Sequence, residues 1–189
     1  MSRLALRTIA DAPEETKASL TAVQGRNGYL PNLLCVLANA PVALEAYLTV
    51  SAINAKGSLT LAQREVVQIT AAATHGCAFC VAGHTAIAYK KAGLDDATVD
   101  ALRSLQPVAD PQLNAVAVFT KAVIAQRGRV DDSGLALFRS AGFSDAAALE
   151  VVLGVSLATL CNFANNLGQP PLNAELEPYR WAGAESVLA

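Results

Sequence analysis

The residues best able to do chemistry in this chain stand in one run, Cys77-Ala-Phe-Cys80-Val-Ala-Gly-His84. Cys80 and His84 are four positions apart, so on a helix they share a face. An imidazole placed there can take the thiol proton or steady the thiolate as an imidazolium, and only the thiolate is a good nucleophile. Cys77 lies one turn earlier, near the expected helix start, where unpaired backbone N–H groups favour a negative charge. Thiols three residues apart on a helix come close enough to form a disulfide, so one cysteine can attack an oxidant or a partner disulfide while the other resolves the adduct. Glu65 sits on the preceding helical segment. If the chain folds back at His75-Gly76, its carboxylate can reach His84, fix the tautomer and raise the basicity of the ring.

Two other readings compete for the pair. Free cysteine is among the most buried residue types, so both thiols can be structural. Two thiols with His84 and His75 also make a zinc-type donor set, although the usual finger spacing is absent and the ligands crowd onto one helix. His75 itself reads first as a helix-end residue, with a place in the site as the alternative. Cys35 and Cys161 are isolated in sequence and read as core thiols. Asn162, Asn165 and Asn166 form an unusual cluster for a helix; asparagine tends to hydrogen-bond backbone, so interhelical or subunit-interface bonding is expected of them.

The elements that must position these residues are helical. No segment alternates with period two, and apolar residues recur at three- and four-residue steps. A short polar helix is expected over 11–24, followed by a turn at Gly25 to Gly28. Pro31-Asn32 starts the next helix, and Pro41 fits the first turn of another that runs to Lys56. Gly57-Ser58 breaks it. Thr60 with Gln63 three residues later has the form of a capping box, opening a helix over 61–74. His75-Gly76 marks a break, and a second helix is expected over 77–91 with Gly93 as its stop. Further helices are expected over 95–105, from Pro111 to Gln126, over 131–141 and over 144–167. Pro170-Pro171 opens an irregular tail in which Tyr179 and Trp181 are expected to anchor.

A weak internal repeat appears when the chain is shifted so that Glu65-Val66-Val67 meets Glu150-Val151-Val152. Gly57 then meets Gly142, Ala73-Thr74 meets Ala158-Thr159, and Gly83 meets Gly168. In this register Asn162 takes the place of Cys77, and Asn165 that of Cys80. The second copy keeps the helices and loses the thiols.

The 189 residues are 53% hydrophobic, 16% charged and only 5% aromatic, with a net charge of -2. That apolar content can bury a sizeable core and a subunit interface, and the alanine-rich composition favours closely packed helices. With no basic run, neither nucleic acid nor an anionic membrane is expected as a partner. The N-terminal stretch lacks the apolar core of a signal peptide, and the most apolar stretch, 146–161, is short and carries Glu150. A cytoplasmic chain with free thiols is therefore expected.

The pattern Glu65, Cys77, Cys80, His84 resembles the core motif of the AhpD-like alkylhydroperoxidases of the carboxymuconolactone decarboxylase superfamily. Gly28-Tyr-Leu-Pro-Asn32 resembles the N-terminal motif of its peroxidase-related branch. Asn162-Phe-Ala-Asn-Asn166, with Pro170-Pro171-Leu172, resembles the C-terminal one. The resemblance spans roughly 25–175 and implies one all-α domain over 1–189, built on a repeated helical core and assembled as trimers or hexamers. It implies that Cys80 is the peroxidatic thiol, that Cys77 resolves it as a Cys77–Cys80 disulfide, and that His84 and Glu65 form the proton relay. His75, Phe79 and Asn162 would surround them. Two positions depart from the family pattern: Phe79 stands where the best-understood AhpD proteins carry histidine, which shortens the relay, and His75 stands where asparagine is common. No nicotinamide, flavin or haem signature is present and no metal is called for, so the electrons for a peroxide substrate are expected from a thiol or a protein dithiol. A decarboxylase-like enzyme without redox turnover, and a non-catalytic redox-sensing or oligomerisation module, are the alternatives.

Overall fold

A computed structural model describes residues 2–183, and no strand occurs among them. The fold is all-α. Among the described residues nine α-helices follow in order: α1 Glu14–Asn27, α2 Asn32–Leu37, α3 Pro41–Asn54, α4 Leu61–Thr74, α5 Ala78–Ile87, α6 Asp96–Arg103, α7 Pro111–Ala125, α8 Asp132–Ser140 and α9 Asp145–Gly168. A π-helical turn, Ala88–Ala92, continues α5, and a 3₁₀ segment, Ala174–Tyr179, lies in the tail.

Most helix starts are local chemistry. Thr60 and Gln63 form the full capping box of α4, and Asp95, Asp110, Asp131 and Ser144 cap α6, α7, α8 and α9 through their side chains. Two helices differ most from the sequence expectation. α1 starts after Pro13 and runs through Gly25 to Asn27, because the chain turns only at Gly28, which adopts φ 79° and closes its N–H on Gln24. The helix expected over 77–91 is split: Cys77 stands outside it as the N-cap, and the last turn widens into the π-helical segment before Gly93.

α4 is the centre of the molecule. Every residue from Glu65 to Ala73 is buried, and the helix packs against α5, α6, α7 and α9. One core cluster joins Val66, Val67 and Ile69 to Phe119 and Phe138, whose rings stack at 4.3 Å. A second surrounds Cys77 and Cys80 with residues of α2 and α3 and with Leu157 and Cys161 of α9. α9 comes very close to α4 at Gly154: a Cβ there would lie 2.9 Å from Val67 Cγ1, and the Gln68 amide donates to the Gly154 carbonyl at 2.9 Å. This close approach carries the C-terminal half of α9 to the thiols.

By length and composition α9 is apolar enough to cross a membrane. In this fold it packs against α2, α3, α4, α5 and α7, and it buries Asn162 and Asn165. Its other side leaves Leu149, Val152, Phe163 and Leu167 exposed. Glu150, the counterpart of Glu65 in the repeat, accepts hydrogen bonds from the Ser58 and Leu59 N–H groups and the Ser58 hydroxyl at 2.9–3.0 Å. That carboxylate closes the α3–α4 turn, well away from the thiols in sequence and role.

The tail is held to the body. The Asn32 N–H donates to Asn173 Oδ1 at 2.8 Å, the Asn32 amide to the Pro171 carbonyl at 3.0 Å, and the Asn173 amide to the Leu30 carbonyl at 3.1 Å. The motifs at Gly28–Asn32 and Pro170–Leu172 thus meet in space. Trp181 packs on the cluster around the thiols, and Tyr179 lies beside Tyr89 with ring centroids 6.2 Å apart.

Candidate thiol site

The break between α4 and α5 decides where the thiols stand. His75 ends α4, Gly76 takes φ 66°, and the chain reverses so that Cys77 caps the new helix. Only glycine adopts that φ without strain. Under the repeat register the break falls on Leu160-Cys161, where no glycine is present and α9 runs straight through.

Cys77 Sγ accepts the Cys80 N–H at 3.4 Å. Both cysteines are free and buried, Cys77 at 1% exposure and Cys80 at 4%. They differ in access. A cleft of about 440 Å³ reaches Cys80 and His84 but not Cys77. Tyr29, Tyr47 and Phe79 line it with Ile87 and Leu176, and Arg26 and Lys91 stand at its edge. A smaller cleft of about 260 Å³ is lined by Arg64, Glu65 and Gln68 and shares Tyr47, His84, Ile87, Lys91 and Cys161 with the first. The imidazole therefore stands where both clefts meet.

The fold-back expected at His75-Gly76 brings Glu65 to the histidine. Glu65 Oε2 lies 2.7 Å from His84 Nδ1. The carboxylate is 7% exposed and the imidazole 27%. This contact occupies Nδ1 and leaves Nε2 as the free ring nitrogen. Burial alone would push the His84 pKa down, but the charge and hydrogen bond of Glu65, with a contribution from Cys80, outweigh it and raise the pKa above the ordinary histidine value.

The two thiols diverge electrostatically. Burial pushes Cys80 up, yet the hydrogen bond from Cys77, the charge of His84 and the amides of Asn162 and Asn165 together hold it below the ordinary cysteine range. Cys77 is held far above that range, first by its hydrogen bond to Cys80, then by burial and by the Cys80 charge. The surroundings therefore favour the thiolate at Cys80, the sulfur that the cleft reaches, and the protonated thiol at Cys77 beside it.

The remaining residues named from the sequence fall as follows. Phe79 lines the cleft. His75 is a helix-end residue whose Nδ1 lies 2.9 Å from Asn162 Oδ1, and its carbonyl accepts the Asn166 amide at 2.8 Å. Cys35 is buried on α2, away from the pair. Cys161 is buried as expected and also lines both clefts; burial and the nearby Cys80 push its thiol up. Tyr47 and Asn165 are site neighbours that residue type and local spacing did not single out for chemistry; for Asn165 the repeat register, which sets it opposite Cys80, was the available signal. For the zinc alternative, no three or more His, Cys, Asp or Glu side chains gather to hold a metal among the described residues.

Residues 41–122, which contain the whole Glu65 to His84 run, match the carboxymuconolactone decarboxylase family. That match spans less than half of the chain. The fold of the chain is AhpD-like over nearly the whole length. A peroxidase-related protein with an alkylhydroperoxidase AhpD core from Ralstonia eutropha JMP134 superposes with a TM-score of 0.83 at 24% identity, covering 93% of this chain and 94% of that chain. A peroxidase-related protein from Silicibacter sp. TM1040 gives 0.80 at 20% identity, covering 95% and 96%. The debrominase Bmp8, as its C82A variant in complex with 2,3,4-tribromopyrrole, gives 0.77 at 16% identity, covering 95% and 96%. No curated protein matches the sequence. The AhpD-like fold thus occurs in neighbours of more than one enzyme type.

Proposed function

We propose that this chain is a thiol-dependent peroxidase or disulfide oxidoreductase that cycles Cys77 and Cys80 between dithiol and disulfide. The observation that carries the reading is the asymmetry of the pair: the sulfur with the lowered pKa faces the cleft, and the protonated one stands behind it. The Cys80 thiolate attacks the outer oxygen of a hydroperoxide. A sulfur–oxygen bond forms, the O–O bond breaks, and the leaving alkoxide takes a proton from the His84 imidazolium. The Cys77 thiol then displaces the sulfenic hydroxyl as water, giving the Cys77–Cys80 disulfide, and a donor dithiol returns two electrons and two protons. Glu65 holds the His84 ring and favours its charged form throughout.

The test is a brief hydrogen peroxide pulse, followed by thiol alkylation and peptide mapping by mass. A Cys77–Cys80 disulfide that a dithiol reverses is expected. Cys80→Ser should consume no peroxide, and Cys77→Ser should accumulate a sulfenic acid or a mixed disulfide on Cys80. Full activity in both variants would sink the assigned roles. The likeness to Bmp8 favours a second acceptor for the same two electrons, a halogenated aromatic, which the apolar cleft walls suit; release of bromide from 2,3,4-tribromopyrrole with a dithiol present tests it directly.

A further inference from the structure

Asn165 lies on α9, outside the run that carries the thiols, and its amide meets the pair. Nδ2 donates to Cys80 Sγ at 3.1 Å, and the side chain is 3% exposed. Its other atom, Oδ1, is buried with no hydrogen-bond partner among the described residues. A buried amide with one end unsatisfied costs stability, so the geometry serves the end that is bonded. The two residues are 85 apart, the offset of the internal repeat: the copy that lost its thiol at this position supplies an amide to the thiol of the other copy.

We propose that Asn165 is a positioning residue that sets the redox poise of the Cys77–Cys80 pair by solvating the reduced, anionic Cys80 sulfur. The inference rests on the redox reading above. Reduction of the disulfide takes two electrons from a donor dithiol, breaks the S–S bond and leaves one sulfur protonated and the other able to remain a thiolate. An N–H donor strengthens as its acceptor becomes charged, and the disulfide carries no charge, so the amide stabilises the reduced form preferentially. A couple whose reduced form is stabilised is a stronger oxidant. The groups around Cys80 are Cys77 and His84 from its own segment, Glu65 behind His84 from α4, Tyr47 from α3, and Asn162 and Cys161 from α9, and the cleft that reaches it also carries Arg26 of α1, Lys90 and Lys91 of the π-helical turn and Glu175 of the 3₁₀ segment. The Asn165 amide reaches the Cys80 sulfur directly from another helix.

The experiment equilibrates wild type, Asn165→Leu and Asn165→Ala with glutathione redox buffers and reads the disulfide fraction by alkylation. The leucine keeps the volume without a polar atom; the alanine removes the amide and leaves space. Both variants should shift the thiol–disulfide equilibrium about tenfold toward the disulfide, about 30 mV for a two-electron couple, at a pH above the Cys80 pKa of either protein. The shift should shrink as pH falls and both proteins hold protonated thiols. A merely structural role would move melting temperature without this pH-dependent change in potential. A wild-type disulfide with potentials unmoved in both variants overturns the role of Asn165 alone. A wild-type chain that forms no Cys77–Cys80 disulfide overturns the redox reading, and this inference with it.

Discussion

Replacing Glu65 by glutamine removes a charge from the relay while leaving an oxygen to accept from His84. The native contact is 2.7 Å long, with the carboxylate nearly buried and the ring partly so. A hydrogen bond to a charged group contributes about 1.5–3 kcal/mol against about 0.5–1.5 for a neutral one, so the exchange should cost the imidazolium about 1.4 kcal/mol, or about tenfold in its population near neutrality. The Cys80 thiolate loses part of the charge that holds its pKa down. We expect the rate of Cys80 alkylation by iodoacetamide, followed by mass, to fall up to about tenfold near pH 7 and to recover near pH 10, where an ordinary thiol of pKa about 8.5 is ionised without help. The stability effect has its own sign. The folded pKa of His84 is raised, so the pair contributes fully below the unfolded value of about 6.5 and loses that contribution as pH rises through the folded value. Urea midpoints of wild type and Glu65→Gln should therefore differ more at about pH 6 than at about pH 9. An equal loss of alkylation rate at both pH values, or none at either, would refute the relay.

Three further outcomes follow from the same geometry. The alkylation profile of Cys80 in the wild-type chain should have its midpoint below that of an ordinary cysteine, so that reactivity persists to lower pH, while Cys77 alkylates only at higher pH; site-resolved peptide masses read both. Gly154→Ala should lower stability by about 1–3 kcal/mol in urea titration, because its Cβ would meet the Val67 side chain at 2.9 Å where α9 already packs against α4. A homo-oligomer built on the exposed side of α9 is proposed from Leu149, Phe163 and Leu167, each more than half exposed; sedimentation should show an assembly that Phe163→Asp weakens, and a monomeric wild type would refute it.

The sequence by itself determined the helices and the reactive run. Capping residues such as Thr60 with Gln63 and Ser144 act within one turn, so their positions are written locally, and α4 and α9 begin where those caps place them. Cys77, Cys80 and His84 are readable for the same reason, since their relation is spacing along one short segment. Helix ends that depend on a single glycine were less legible: Gly25 carries no signal to distinguish it from Gly28 until φ is known, and Cys77 becomes a cap only because Gly76 turns the chain. The contact between Glu65 and His84 follows from the sequence only if α4 and α5 fold back on each other, a long-range packing outcome that no local pattern encodes. Tertiary structure alone decided which sulfur the cleft reaches. The preference for Cys80 comes from a cleft walled by α1, α3 and the tail, and from asparagine amides on α9 that packing at Gly154 delivers. Electrostatics inside a protein depends on distance through space and on exclusion of water, and neither is a property of residues taken in order along the chain.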